Sequence, residues 1–361
     1  MKILFKYISV NFIKFYAICI SSFLLVYMII DFMGQFWKLK DRGLPAIDIF
    51  IYFLSKSPFI INQISPMATL LATILTLGIL SRNSEITVMK SSGISVFQIS
   101  VPILILSFLV SIFSLISGEY LVPYSNKICK KIERYRPGRD NSSRLFKRDK
   151  IWYFGRNNIY NIDLLDPEKK ILHGITILQR DDNYAISRRI DAKSAVWERE
   201  RWLFKEGTIR SFGSGLIDAI SVSSFKEQEI DLEEKFNDFT VVVKSSEEMD
   251  FAELGTHIEK LSRMGLDYKK YMVDLMAKIA FPLVNFILPL IGIPFSLKTG
   301  RSAGIASGVG ISIVIGFSYW VAMAFCVSLG HTGVLPPFIA AFGSNIIFSI
   351  AGFISIMKIR S

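Results

Sequence analysis

SRNSEITVMKSSG, residues 81–93, is a short polar island between two apolar runs. Residues 57–81 on one side and 91–118 on the other contain no Asp, Glu, Lys or Arg. A helix crosses the hydrocarbon of a bilayer with about 20 mainly apolar residues, so each run is long enough to span. The island is therefore a connection between two membrane crossings, and it carries Arg82, Glu85 and Lys90. Ser81 or Asn83 is placed to cap a helix of about two turns that Gly93 ends, with Glu85 near the dipole-favoured start. Whatever acts on the protein from that side of the membrane has this element to act on.

The same count organises the rest of the chain. Residues 15–37 form a first span with Asp31 as its single charge and Trp37 as an interface anchor. An acid so near the end of a span ordinarily reaches the interface, although an intramembrane acid can also be functional. Lys2, Lys6 and Lys14 precede this run. At 23 residues it exceeds the apolar core of a secretory signal, and no small-x-small cleavage site follows, so it stays as an anchor. Residues 38–56 read as a connection, with Pro58 and Pro66 bracketing the start of span two. Span three ends at Glu119, Tyr120 and Pro123. Residues 279–297 form span four despite Pro282, Pro289 and Pro294, and Asp274 and Lys278 stand four apart at its entrance, where they are spaced to pair. From residue 302 to 357 there are 56 residues without Asp, Glu, Lys or Arg, too long for one crossing. They form a hairpin, spans five and six, turned at Gly330-His331-Thr332-Gly333 and Pro336-Pro337. Gly304, Gly308, Gly310 and Gly316 suggest close helix contact in span five.

Between spans three and four the period changes to two. IWYF (151–154), NIYNIDL (158–164), ILHGITILQ (171–179), YAISRRI (184–190), SAVWERE (194–200), RWLFKEG (201–207), TIRSF (208–212) and FTVVV (239–243) alternate like half-buried antiparallel strands. Roughly ten short strands in about 100 residues favour a sandwich or jellyroll over a transmembrane barrel. Residues 249–264 then read as an amphipathic helix. The expected architecture is a six-span (3+3) α-helical membrane protein with an inserted antiparallel β-jellyroll domain on the side of the membrane opposite the island. Its parts are residues 1–122 with the island at 81–93, the β domain at 123–267, and residues 268–361.

Composition agrees: 51% of 361 residues are hydrophobic and the mean hydropathy is +0.40. The net charge of +11 is uneven, with ten Lys or Arg against three acids in residues 127–150 and ten acids against two Lys in residues 227–253. Basic clusters beside apolar spans point to anionic lipid rather than nucleic acid. Cys19, Cys129 and Cys326 build neither a disulfide framework nor a CxxC site, and His173, His257 and His331 lack a second ligand at metal spacing. They read as isolated surface or turn histidines. No metal or other cofactor is implied.

The positive-inside rule puts the N-terminus, the island and the C-terminus in the cytoplasm, with Lys2, Lys6, Lys14, Arg82, Lys90, Lys298, Arg301, Lys358 and Arg360 on that side. Lys38, Lys40 and Arg42, and the cluster after Pro123, break the trend. Bases held on the outer side at membrane height are what an anionic headgroup needs, and they are also what ordinary snorkelling produces. The chain contains no GxxxxGK[ST] phosphate loop, no HExxH and no GxSxG, so a motor must come from another subunit and hydrolase chemistry has no motif to rest on.

Together, LSRNSEITVMKSSG after span two, GEYLVP ending span three, KIAFPLVNFILPLIGIPF in span four and a Gly turn with LPP before span six resemble the LptF/LptG permease family of the lipopolysaccharide export machine. The resemblance covers essentially the whole chain and leans to the LptG branch. It implies a heterodimer with a paralogous permease on a dimeric cytoplasmic ATPase, LptB, in the bacterial inner membrane, with ATP used by that partner. It implies lipopolysaccharide as the cargo, taken from the outer leaflet, and a periplasmic route through the single-span regulator LptC onto a protein bridge. On the same analogy Glu85, beside Arg82, engages the ATPase. Lys38, Lys40 and Arg42 match the basic end of span one that faces lipid phosphates, and Lys130 and Arg134 fall near a further basic region. Two rival readings are a lipoprotein-release type of exporter, which has four spans and does not fit the 56-residue hairpin, and a non-transporting envelope scaffold.

Overall fold

The structure is a computed structural model and describes residues 2–41, 43–134, 151–155, 158–166, 170–181, 185–198, 201–212, 221–232, 234–236, 239, 246–263, 267–298 and 305–360. In chain order these form α1 (Lys2–Lys40), α2 (Ala46–Arg82), α3 (Glu85–Ser91), α4 (Val96–Arg134), β1 (Ile151–Phe154), β2 (Asn158–Asp166), β3 (Ile171–Arg180), β4 (Ile186–Glu198), β5 (Arg201–Ser211), β6 (Ser221–Ile230), α5 (Phe251–Arg263), α6 (Lys269–Lys298), α7 (Ile305–His331) and α8 (Pro337–Arg360). Two compact units result: residues 1–133, 246–255 and 268–361 form one, and residues 134–245 and 256–267 the other.

In the first unit, α1, α2, α4, α6, α7 and α8 are each long and apolar enough to cross a bilayer. The six spans are therefore as expected, but three run further than the sequence reading has them. Helix α1 reaches from Lys2 to Lys40, α2 starts at Ala46 rather than near Pro58, and α4 continues through Glu119 and Pro123 to Arg134. At about 1.5 Å per residue, 37 to 39 residues rise roughly 55–60 Å, nearly twice the hydrocarbon thickness. Proline need not end a membrane helix where the carbonyl it orphans finds another donor. The Leu54 carbonyl, which Pro58 cannot satisfy, accepts instead from Ser57 Oγ at 2.7 Å.

The centre of this bundle is α2, most of whose residues from Ser65 to Leu80 are buried, Thr69, Thr73 and Thr76 among them. Small residues let its neighbours close on it: Gly292 of α6 faces Leu70, and Gly316 of α7 faces Met67. Gly308 lies against Ile74, whereas Gly310 meets nothing and Gly304 lies outside the described residues, so only part of the glycine set is in contact. Several polar groups inside are matched to one another, as a waterless interior favours. Tyr16 bonds Ser65 at 3.0 Å, Ser65 donates to Asn285 at 2.7 Å, and Asn345 donates to the Ala280 carbonyl at 2.7 Å.

The second unit holds a six-stranded antiparallel meander in the order β1-β2-β3-β4-β5-β6, consistent with a jellyroll-like domain. One face packs a core of Tyr160, Ile162, Ile175, Ile177, Ile190, Trp202 and Phe204 beneath Phe236 and Phe239. Tyr160 donates to the buried Glu234, and Trp202 Nε1 donates to the Glu234 carbonyl at 2.8 Å, which fastens the covering segment. Burial and the Glu234 charge push the Tyr160 phenol above its ordinary range.

A crease crosses this sheet. Asp163, Gly174, Lys193, Glu206 and Lys226 form one transverse row that drops out of a ladder whose register is the same on both sides of it. Gly174 and Glu206 adopt φ of +60° and +50°. On either side the inward parity reverses: Ile190 and Ala192 are buried before the row and Ala195 after it, and Trp202 and Phe204 before, Ile209 after. Each long strand thus reads in sequence as two alternating pieces. YAISRRI and SAVWERE contribute to the single strand β4, and RWLFKEG with TIRSF to β5, so the described residues hold six strands rather than about ten. Strand β6, whose residues are mostly exposed, carries no alternation to find. Most of FTVVV lies outside the described residues.

Candidate functional site

The island folds as expected in length but not in its cap. Because α2 runs through Arg82, the residue before α3 is Ser84, in a left-handed conformation with φ of +62° and no side-chain cap bond. Gly93, at φ +83°, closes the other end, where Ile94 N donates to the Met89 carbonyl at 3.0 Å. The helix is seven residues long and is held by Ile86, which is buried with Ile8 and Phe12 of α1, Leu77 and Leu80 of α2, Ile99 of α4 and Ile293 of α6. Glu85 stands in the first turn, where Asn83 Nδ2 reaches its Oε1 at 3.4 Å and the Tyr7 hydroxyl of α1 lies near its charge. Arg82, Val88 and Lys90 are exposed on the rim. The arrangement is a charged rim, with Glu85 half-buried and Lys90 exposed, on a helix that packs mainly on α2 and buries Ile86 in a cluster shared with α1, α4 and α6.

The other candidate residues gather at the far end of the bundle. Lys38 and Lys40 are exposed at the end of α1, and Lys40 Nζ lies 5.1 Å from the Trp37 ring centroid. Leu39 between them is buried with Leu44, Ile49 and Tyr52, and with Cys129 of α4, while Ile132 packs against the same cluster. That core brings the end of α1 beside the stretch of α4 that carries Lys130. Lys130 is engaged by Glu133 at 3.6 Å, and Glu133 accepts from Tyr52 Oη at 2.9 Å. Arg134 ends α4, and its side chain lies outside the described residues, as does the whole of Arg42.

Sequence reading missed what lies next to this end. Lys56 falls inside α2, not in a connection, and its ammonium donates to both oxygens of Asp31 at 2.7 and 2.8 Å. Asp31 therefore does not reach out to the interface but bonds across to α2. Beside the pair is a groove of about 480 Å3 between α1 and α2, walled by Leu25, Ile29, Phe32, Met33, Phe50 and Phe53. The available signal was a lone lysine in an apolar stretch one helix away from a lone acid.

A second correction concerns Asp274 and Lys278. Asp274 accepts from Ser246 Oγ at 2.6 Å and contacts His331 Nε2 at 2.7 Å, so His331 is not an isolated turn residue. Lys278 donates to the Met249 carbonyl. Glu119 accepts the Phe251 N–H at 2.9 Å, and Asn126 Nδ2 donates to the Glu247 carbonyl at 3.0 Å. These bonds strap residues 246–251 to α4 and α6, and His331 ties α7 to the same Asp274.

The sequence matches the family described as "Lipopolysaccharide export system permease LptF/LptG" over residues 6–358. The lipopolysaccharide export system permease protein LptG of Escherichia coli (strain K12) is 23% identical over 340 residues, 91% of each chain. The protein of the same name from Haemophilus influenzae is 22% identical over 325 residues, 88% of this chain and 87% of its own. The match takes in both ends of the bundle and the sheet inserted after α4 in the sequence, and the chain belongs to the LptF/LptG family of lipopolysaccharide export permeases, as a multi-pass inner-membrane protein.

Proposed function

We propose that this chain is an LptG-type permease subunit that pairs with a paralogous permease and is driven by a separate cytoplasmic ATPase, LptB, which uses the ATP. It takes lipopolysaccharide from the outer leaflet and passes it by way of LptC and a periplasmic bridge toward the outer membrane. Both termini and α3 face the cytoplasm, where α3 is the ATPase-coupling element, with Glu85 as its engaging acid and Arg82 beside it. Lys38, Lys40 and Arg42 receive lipid phosphates at the periplasmic end, with Lys130 and Arg134 as further basic residues. The chain itself binds no cofactor.

The observation that carries this reading is the seating of α3. Ile86 is buried in one apolar cluster with residues of α1, α2, α4 and α6, α2 being the main neighbour of α3, so a push on the Glu85 edge is passed through α2 to the bundle core. The same push narrows an apolar cavity and drives acyl chains out of it. The energy has to come from hydrolysis, because each CH2 exposed costs about 0.8 kcal/mol. Glu85→Ala or Glu85→Lys is expected to abolish ATPase association or to leave hydrolysis uncoupled from export, measured by copurification and by ATPase rate. Normal assembly and export in that variant would refute the role. Replacing Lys38, Lys40 and Arg42 together by Ala is expected to cut photo-crosslinking to lipopolysaccharide, and unchanged crosslinking would make them snorkelling residues only.

A further inference from the structure

Between Cys19 and the buried Leu39, α1 is only loosely packed. No residue of α1 between Cys19 and Leu39 is buried, and the apolar groove separates this stretch from α2. Across that groove Phe32 meets Phe53 at 5.1 Å between ring centroids. The polar bond there is directional: Lys56 Nζ grips both oxygens of Asp31, with side-chain exposures of 18% and 13%. Lys56 also lies 5.5 Å from the Tyr52 ring, and the Tyr52 hydroxyl ties onward to Glu133 of α4. An ion pair in a low-dielectric setting with little competing water is strongly oriented, and either partner left alone there is costly. Apolar contact across a groove has no such preference for one geometry.

We propose that Asp31 and Lys56 are a positioning pair that fixes the remote half of α1, and with it Lys38 and Lys40, against α2. Asp31 and Lys38 are seven residues apart, hence on nearly the same helix stripe and separated by about 10 Å along the axis. A change in how α1 leans at Asp31 therefore displaces the lysines directly. The significance for lipid capture rests on the reading of Lys38 and Lys40 given above.

The test uses the complete permease–ATPase complex in lipid nanodiscs, with two readouts. Amide hydrogen exchange over residues 25–40 reports the attachment of α1, and a photo-crosslinking amino acid in place of Trp37 reports capture of lipopolysaccharide. Asp31→Asn and Lys56→Met each keep the approximate size and remove one charge, and are expected to speed exchange about ten-fold and to reduce capture about five-fold. Asp31→Glu keeps the charge and is expected to stay near wild type. The double exchange Asp31→Lys with Lys56→Asp is expected to restore both readouts. Faster exchange that the double exchange reverses, with capture unmoved, supports the pair and counts against lipid binding by the lysines. Wild-type exchange in both single variants overturns the proposal, as does a folded double exchange that behaves like the singles.

Discussion

Asp191 joins three strands. Its carboxylate accepts from Thr176 of β3 at 2.8 Å, from Arg189 of β4 at 2.8 Å and from Arg210 of β5 at 2.8 Å. Burial opposes its charge, but the bonds from Arg189 and Thr176 and the two guanidinium charges hold the carboxyl below its ordinary range. A depressed folded value means that the stabilisation is fully present above about pH 4 and is lost as pH falls through the folded value. Asp191→Asn is expected to lower stability by about 1–2 kcal/mol at neutral pH, with the gap to wild type closing in acid. Thermal unfolding of the detergent-solubilised chain, followed by tryptophan fluorescence, measures it. The placement of Glu85 on a short helix between two spans was legible because it stands in a short polar segment flanked by long apolar ones. Lys56 was not, because its meaning depends on a partner 25 residues away across a helix pair.

The crease shows why strand counts failed where strand recognition succeeded. Alternation marks β structure in β1 to β5, but alternation also encodes which face is inward, and that phase reverses along the row from Asp163 to Lys226. A reader of periodicity therefore cuts one strand into two. The crease needs room as well as dihedral freedom: a Cβ on Gly207 would lie 2.7 Å from the Asp191 carbonyl and strike the Phe225 ring. Gly207→Ala is expected to destabilise the β unit by about 1–3 kcal/mol, since the obstructing carbonyl is backbone and cannot swing away. Gly310→Ala in α7, where nothing lies within 4 Å, is the control and is expected to be neutral or slightly stabilising in the same melting assay.

The six crossings could be read because hydrocarbon imposes a length and a charge rule on every span, and the 56-residue uncharged run near the C-terminus leaves no other solution. Helix ends could not, because where a helix stops outside the hydrocarbon is decided by packing. Leu39, Ile49, Tyr52 and Cys129 hold α1, α2 and α4 together well beyond the apolar core of each. The resulting bundle has a keyed helix with an acidic edge at one end and exposed lysines at the other, joined by α1 and α2. On the function proposed above, export uses both ends in one stroke and is expected to fail when either is cut, with hydrolysis and lipid binding scored separately. The decisive measurement is ATP-dependent transfer of lipopolysaccharide out of proteoliposomes containing this chain, its partner permease and the ATPase, compared between wild type and Glu85→Ala. The expected result is transfer by wild type that requires ATP, and none by Glu85→Ala despite lipopolysaccharide crosslinking at the α1 lysines equal to wild type. Equal transfer by the two proteins would contradict the coupling role of α3, and no ATP-dependent transfer by wild type would contradict the function itself.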